Sequence, residues 1–178
     1  MATFLHNNTL HLRAPEPEDL EVLYKWENDT DIWKYSSTIS PYSKYVLKQY
    51  IADAQTDIFQ SKQLRFMITL NQANKVVGTI DLYDFDALNS RAGVGIYIDA
   101  AHRRGGFAIQ ALKLLQDYAF NFLNINQLYA HIPQSNNASF QLFINSGYTK
   151  TGVLQQWIAH DSKYEDAIVV QNIKTHQE

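Results

Sequence analysis

The chain contains no cysteine. That excludes disulfides, thiolate nucleophiles and cysteine-ligated zinc together, and it accords with a reducing, cytoplasmic setting. Glycine is scarce as well: seven residues in 178, about 4% against a usual value of about 7%. Low-complexity linkers and collagen-like repeats are thereby excluded, and none of the seven precedes residue 78. No apolar run approaches the ~20 residues of a membrane helix, and the opening Met-Ala-Thr-Phe-Leu-His-Asn-Asn lacks the charge and apolar core of a signal peptide. A soluble protein without a membrane partner is therefore expected, and the Asn-x-Ser/Thr matches at Asn7, Asn28 and Asn137 read as chance. A basic surplus is missing too. The formal net charge is -3 and the pI is near 6.0, which argues against a nucleic-acid partner.

What is present is a hydrophobic fraction of 46%, enough to fill the core of one domain spanning 1–178. Acidic residues concentrate early: Glu16, Glu18, Asp19, Glu21, Glu27, Asp29 and Asp31 are seven of the eighteen. Two readings compete. The first is a solvated helix face with acids favouring a helix N-terminus; the second is an electronegative lip that attracts a cationic substrate.

Hydrophobic spacing predicts a strand over Thr9–Arg13, a helix through Leu20, Leu23, Tyr24 and Glu27, and a second helix from after Pro41 toward Phe59. Leu64–Leu70 and Lys75–Tyr83 read as strands joined by a turn over Asn71–Asn74, and Arg91–Asp99 as a further strand. From Ala108, the residues Ala111, Leu112, Leu115, Tyr118, Ala119 and Phe122 form the most regular helical stripe in the chain. Gln127–Ile132 follows as a strand, Asn136–Ser146 as a helix ended by Gly147, and Gly152–Ala159 and Ala167–Ile173 as strands. The order predicts an α/β domain of the α+β type, with a mixed, mainly antiparallel sheet and flanking helices.

The strongest local signal lies where the strand ending at Asp99 passes through Ala-Ala-His-Arg-Arg-Gly-Gly into the long helix. A helix N-terminus offers unpaired N–H groups and partial positive charge, and with Arg103, Arg104, Gly105 and Gly106 beside it the segment suits a diphosphate. The alternative is a simple Gly-Gly chain turn. No Gly-Lys exists for a Walker loop, and Gly93-Val-Gly95 has Ile98 at the third glycine position of a dinucleotide fingerprint. Histidines 6, 11, 102, 131, 160 and 176 show no i, i+3 or i, i+4 pair, so no metal is expected.

Arg103-x-x-Gly106-x-Ala108 after a strand resembles the acyl-CoA loop of the GNAT N-acetyltransferases. Leu10–Leu20 is similar to their opening strand and helix, and Val77-Gly78-Thr-Ile-Asp81 to their third strand. Asn136-Asn-Ala-Ser139-Phe-Gln-Leu-Phe143-Ile-Asn-Ser-Gly147-Tyr148 is similar to their last helix. Within the superfamily the pattern looks closest to the ribosomal-protein and spermidine/diamine branch.

The resemblance implies a splayed pair of parallel strands, Gly93–Asp99 and Gln127–Ile132, with acetyl-CoA between them. It implies main-chain groups of Ile96 and Ile98 on the pantetheine arm, Arg103, Arg104, Gly105, Gly106, Phe107 and Ala108 on the pyrophosphate, and Asn136 at the arm. The Tyr that protonates the departing thiolate in many relatives is replaced here by Phe143. Ser139 is then the candidate acid, beside its plain reading as a helical, backbone-bonding serine. Asp81, on one face with Thr79 and Tyr83, is the candidate base, beside its reading as a solvated carboxylate. Glu27, Trp33 (in a turn-like stretch with Tyr35) and Asp84 are the candidate acceptor-binding residues; Tyr97 and Tyr129 either line the cleft or fill the core, and His131 either stands near the chemistry or is a plain strand residue.

The expected activity is transfer of an acetyl group from acetyl-CoA directly to a primary amine, with a polyamine, diamine or other small cationic amine as acceptor. The alternatives are a protein N-terminal amine, an aminoglycoside, or a non-catalytic acyl-CoA-binding module. Exposed apolar strands near the C-terminus are compatible with a homodimer.

Overall fold

A computed structural model describes residues 4–33, 38–54, 56–160 and 163–175. Seven strands form one sheet: β1 Leu10–Arg13, β2 Leu64–Leu70, β3 Lys75–Asp86, β4 Arg91–Ile98, β5 Gln127–Pro133, β6 Thr149–His160 and β7 Lys163–Ile173. The helices are α1 Leu20–Glu27, α2 Thr30–Trp33, α3 Lys44–Asp53, α4 Ile58–Ser61, α5 Phe107–Asp117 and α6 Asn137–Asn145. Strand order is β1-β2-β3-β4-β5-β7-β6. Every pairing is antiparallel except β4 with β5, which is the expected mixed, mainly antiparallel α+β sheet.

The β4–β5 pair sets the architecture of the site. Its parallel register runs only through Arg91↔Gln127, Ala92↔Leu128 and Gly93↔Tyr129. Beyond Gly93 the strands separate, β4 staying on β3 through Ile98↔Gly78 and β5 on β7 through Pro133↔Ala167. The splay opens toward the C-terminal ends of both strands.

Strand alternation divides the side chains between two faces. On one face Ile80, Leu82, Val94, Leu128, Ala130 and Ile132 pack in the main core with Ala111, Leu112 and Leu115 of α5 and Phe143 of α6. Burying each large aliphatic side chain there contributes about 1.5–3 kcal/mol. The other face carries Arg65, Met67, Thr79, Asp81, Tyr83, Gly95 and Tyr97 in register, and on it a smaller core joins Leu23 and Trp26 of α1 to Ile51 of α3 and Met67.

Four local differences from the sequence reading have physical causes. The helix expected from Pro41 toward Phe59 is two helices: α3 ends at Asp53, and α4 restarts where Asp57 Oδ1 accepts hydrogen bonds from Phe59 N and Gln60 N. The long stripe from Ala108 stays helical to Phe122, but its last turn, Tyr118–Phe122, is a π-helix in which Leu123 N donates to Tyr118 O. Trp33, expected in a turn, ends the short α2, where its Nε1 donates to Glu27 O at 2.8 Å; Tyr35 lies outside the described residues. Finally, three of the seven early acids are held in ion pairs. Asp19 pairs with Arg13 at 2.7 Å, Glu21 with Lys44 at 2.7 Å and Glu27 with Arg65 at 2.6 Å, and Asp19 also completes a capping box with Glu16.

Candidate active site

Three groups of residues meet around the splay. The first is the free edge of β4. Asp99 N donates to Val77 O on β3, and successive residues of a strand direct their main-chain groups to opposite edges. Ile96 and Ile98 therefore turn theirs toward β5, at a point where β5 has already left. The Ile98 carbonyl accepts from Arg103 Nε at 3.1 Å. Unpaired main-chain groups beside a cleft are the edge on which an extended, amide-containing arm docks.

The second group is the loop from Asp99 to α5. Asp99 holds its start: Oδ1 accepts from Ala101 N at 3.1 Å and Oδ2 from Trp26 Nε1 at 3.0 Å. Those two donors, the Ala101 main-chain amide foremost, keep the Asp99 carboxyl below its ordinary range. Arg104 (φ 64°) and Gly106 (φ 72°) both adopt the left-handed region, which carries the chain abruptly into α5. Gly106 caps α5 without any side-chain hydrogen bond, so the first-turn N–H groups, those of Phe107 and Ala108 among them, face outward with Arg103, Arg104 and Gly105 exposed beside them. Across the cleft, Asn136 Oδ1 caps α6 by accepting from Ser139 N at 3.1 Å. Neither Asn136 Nδ2 nor Ser139 Oγ has a partner among the described residues. Phe143 is buried, its ring edge-on to Tyr148 at 4.9 Å.

The third group lies on the α1 side of the sheet. Arg65 sends Nε to Asp81 Oδ1 at 2.6 Å, one terminal nitrogen to Asp81 Oδ2 at 3.1 Å and the other to Glu27 Oε1 at 2.6 Å. Its guanidinium also lies 5.3 Å from the Tyr50 ring centre. The carboxylates, Asp81 first, hold the Arg65 guanidinium well above its ordinary value in spite of its burial. Beside this cluster runs an aromatic row. Tyr83 meets Tyr129 at 6.2 Å, Tyr129 meets His131 at 5.4 Å, and His131 meets Trp157 at 6.2 Å. Burial lowers the His131 imidazole, opposed by the charge of Asp84. Asp84 is exposed and sits in a bulge of β3 with φ 47°.

The structure thus places Ile96, Ile98, Arg103, Arg104, Gly105, Gly106, Phe107, Ala108, Asn136 and Ser139 on β4, the loop into α5, α5 and α6 around the open end of the splay. Glu27, Trp33, Asp81 and Asp84 fall on the opposite face. Arg65 was missed by sequence reasoning, although a basic residue inside the apolar strand Leu-Arg-Phe-Met-Ile was a visible signal. The bridging positions of Tyr83 and Tyr129 had no such signal.

The acetyltransferase (GNAT) domain model matches residues 9–149. An uncharacterised N-acetyltransferase, p20, of Bacillus licheniformis is 29% identical over 154 residues, covering 86% of each chain. The spermidine N(1)-acetyltransferase of Vibrio cholerae is 26% identical over 160 residues, covering 90% of each chain. In fold, the chain is similar to the crystal structure of spermidine N-acetyltransferase from Vibrio cholerae in complex with CoA and spermine. The TM-score is 0.84 at 24% identity, covering 94% of this chain and 96% of that one. With the splayed β4–β5 pair and the loop into α5 in place, the chain belongs to the GNAT family and is an acetyl-CoA-dependent N-acetyltransferase.

Proposed function

We propose that the protein transfers the acetyl group of acetyl-CoA directly to a polyamine, diamine or other small cationic amine. The observation that carries this reading is the charge balance of the α1-side face. Glu27 and Asp81 share one guanidinium, leaving one net negative charge, and Asp84 adds a second with no ion-pair partner among the described residues. Tyr83, Tyr129 and His131 stand beside Asp84, whose charge acts on all three. Carboxylates among aromatic faces attract a cation both by charge and by the ring quadrupoles.

On the cofactor side, Ile96 and Ile98 are assigned to the pantetheine arm through their main-chain groups. The Arg103–Ala108 loop and the α5 N-terminus are assigned to the pyrophosphate. Arg103 then exchanges the Ile98 carbonyl for phosphate oxygens, and Asn136 Nδ2 meets the arm. Ser139 is assigned a hydrogen bond to the thioester sulfur. Asp81, with both oxygens on Arg65, orients the incoming amine electrostatically and is poorly placed to remove its proton. Trp33 fixes the Glu27 main chain and so the wall of the acceptor site. A chain without cysteine has no thiolate to form an acyl-enzyme, which supports direct attack of the amine on the thioester.

The test is release of free thiol from acetyl-CoA across a panel of amines, with thermal unfolding in acetyl-CoA alongside. Turnover with spermidine or diamines and a melting-temperature rise in millimolar acetyl-CoA are expected. Turnover only with peptides overturns the small-amine acceptor in favour of a protein N-terminus, and no thermal shift overturns the cofactor assignment.

A further inference from the structure

Direct transfer needs a group that takes a proton from the attacking nitrogen and one that protonates the departing sulfur. Of the two sequence candidates, Asp81 is locked on Arg65, and Ser139, with Phe143 at the usual tyrosine position, is assigned only a hydrogen bond to the sulfur. Tyr83, two residues on from Asp81 along β3, pairs with Gly93 of β4 at the splay. A Cβ on Gly93 would lie 2.3 Å from Tyr83 Cε2 and 2.4 Å from Cζ, so the ring lies flat across the bare Cα of Gly93. Gly93 is the last β4 residue paired with β5, which puts this crossing at the apex of the splay. Past the crossing, the ring meets Tyr129 of β5 edge-on at 6.2 Å. Gly95, the next residue of that face, leaves its Cα bare between Asp81 and Tyr83. A Cβ there would stand 3.7 Å from Asp81 Oδ2 and 3.9 Å from Tyr83 Cδ1, room for a reacting group at the floor of the cleft.

We propose that Tyr83 is a catalytic residue, its phenol relaying the proton of the reaction from the amine nitrogen to the sulfur of CoA. The amine nitrogen bonds to the thioester carbon and the carbon–sulfur bond breaks. The nitrogen's surplus proton passes to the Tyr83 oxygen while the phenol's own proton passes to the departing thiolate. One amine and one acetyl thioester become one amide and one thiol, and the phenol is regenerated without a change of charge. Burial pushes the Tyr83 phenol up to about 12, so it stays protonated at neutral pH. A phenol that weak does not yield its proton to a thiolate of ~8.5 without a replacement, hence a relay in place of simple donation. The proposal rests on the cofactor placement given above.

Tyr83→Phe tests it, because the ring and its packing over Gly93 are kept. The expected result is a kcat reduced about 100-fold, with the acetyl-CoA KM and the acetyl-CoA thermal shift within twofold of wild type. With a small acetyl thioester of an acidic aryl thiol as donor, whose sulfur leaves without a proton, the deficit in kcat/KM is expected to shrink to a few-fold. A kcat within threefold of wild type overturns the proposal. So does an equal deficit with both donors, or a lost thermal shift in the variant, since each marks Tyr83 as a packing residue. Failure of the cofactor placement registers separately, as no acetyl-CoA stabilisation of the wild-type protein.

Discussion

Arg65 and Asp81, sixteen residues apart on paired strands, form a two-pronged ion pair of 2.6 and 3.1 Å with side-chain exposures of 17% and 16%. The same guanidinium reaches across to Glu27 on α1. A cation shared by two carboxylates beneath a cleft joins stability to function, and the two separate experimentally.

Replacing Arg65 by Met leaves two partly buried carboxylates facing each other. A loss of about 3 kcal/mol in urea unfolding is expected, near the lower end for a broken buried pair. Adding Asp81→Leu to Arg65→Met is expected to restore part of it, giving a coupling energy of at least 1 kcal/mol between the sites.

Asp84→Asn removes the exposed carboxylate of the β3 bulge while leaving the Arg65 cluster intact. The KM for a cationic amine is expected to rise about threefold to tenfold at low salt, with kcat little changed. The difference narrows as ionic strength rises, because the Debye length falls to ~3 Å at 1 M. Steady-state kinetics at two salt concentrations check this.

Gly106→Ala isolates the backbone of the loop into α5, proposed above to hold the pyrophosphate. Nothing lies within 4 Å of a Cβ at Gly106, but its φ of 72° disfavours any side chain. A cost of about 1–2 kcal/mol is expected in thermal unfolding, together with weaker acetyl-CoA binding by titration, since the same turn aims the first N–H groups of α5. Arg103→Ala is expected to raise the acetyl-CoA KM without that loss of stability.

Alkaline unfolding reads the buried phenols. Burial pushes Tyr50 and Tyr83 up to about 12 and Tyr148 further in the same direction. In the unfolded chain each titrates near ~10, so above that pH the unfolded state binds fewer protons than the folded one. Stability is therefore full below about pH 10 and falls as pH rises toward 12. Tyr148→Phe is expected to flatten that fall by up to one proton, about 1.4 kcal/mol per pH unit. At pH 7 it is expected to cost under about 1 kcal/mol, because the Tyr148 hydroxyl has no well-formed hydrogen bond among the described residues and the neighbouring Gln116 amide donates to Ser146 O. Urea unfolding between pH 7 and 12 measures both.

The sequence by itself determined what depends on neighbours in the chain. The stripe of α5, the β2–β3 hairpin, the capped start of α6 and the run Arg103–Ala108 are local patterns, in which periodicity, turn residues and helix-end chemistry carry the information. They placed the sheet class and the strand–loop–helix run into α5. Tertiary structure decided what depends on distance along the chain. Trp26 holds Asp99 across 73 residues and Arg65 holds Glu27 across 38. Tyr83 reaches Tyr129 only because Gly93 has no side chain to block it and because β4 and β5 pair for three residues before parting. No local pattern encodes where two strands separate; that follows from β4 remaining on β3 and β5 on β7, and the residues at the apex gain their chemical meaning from that geometry.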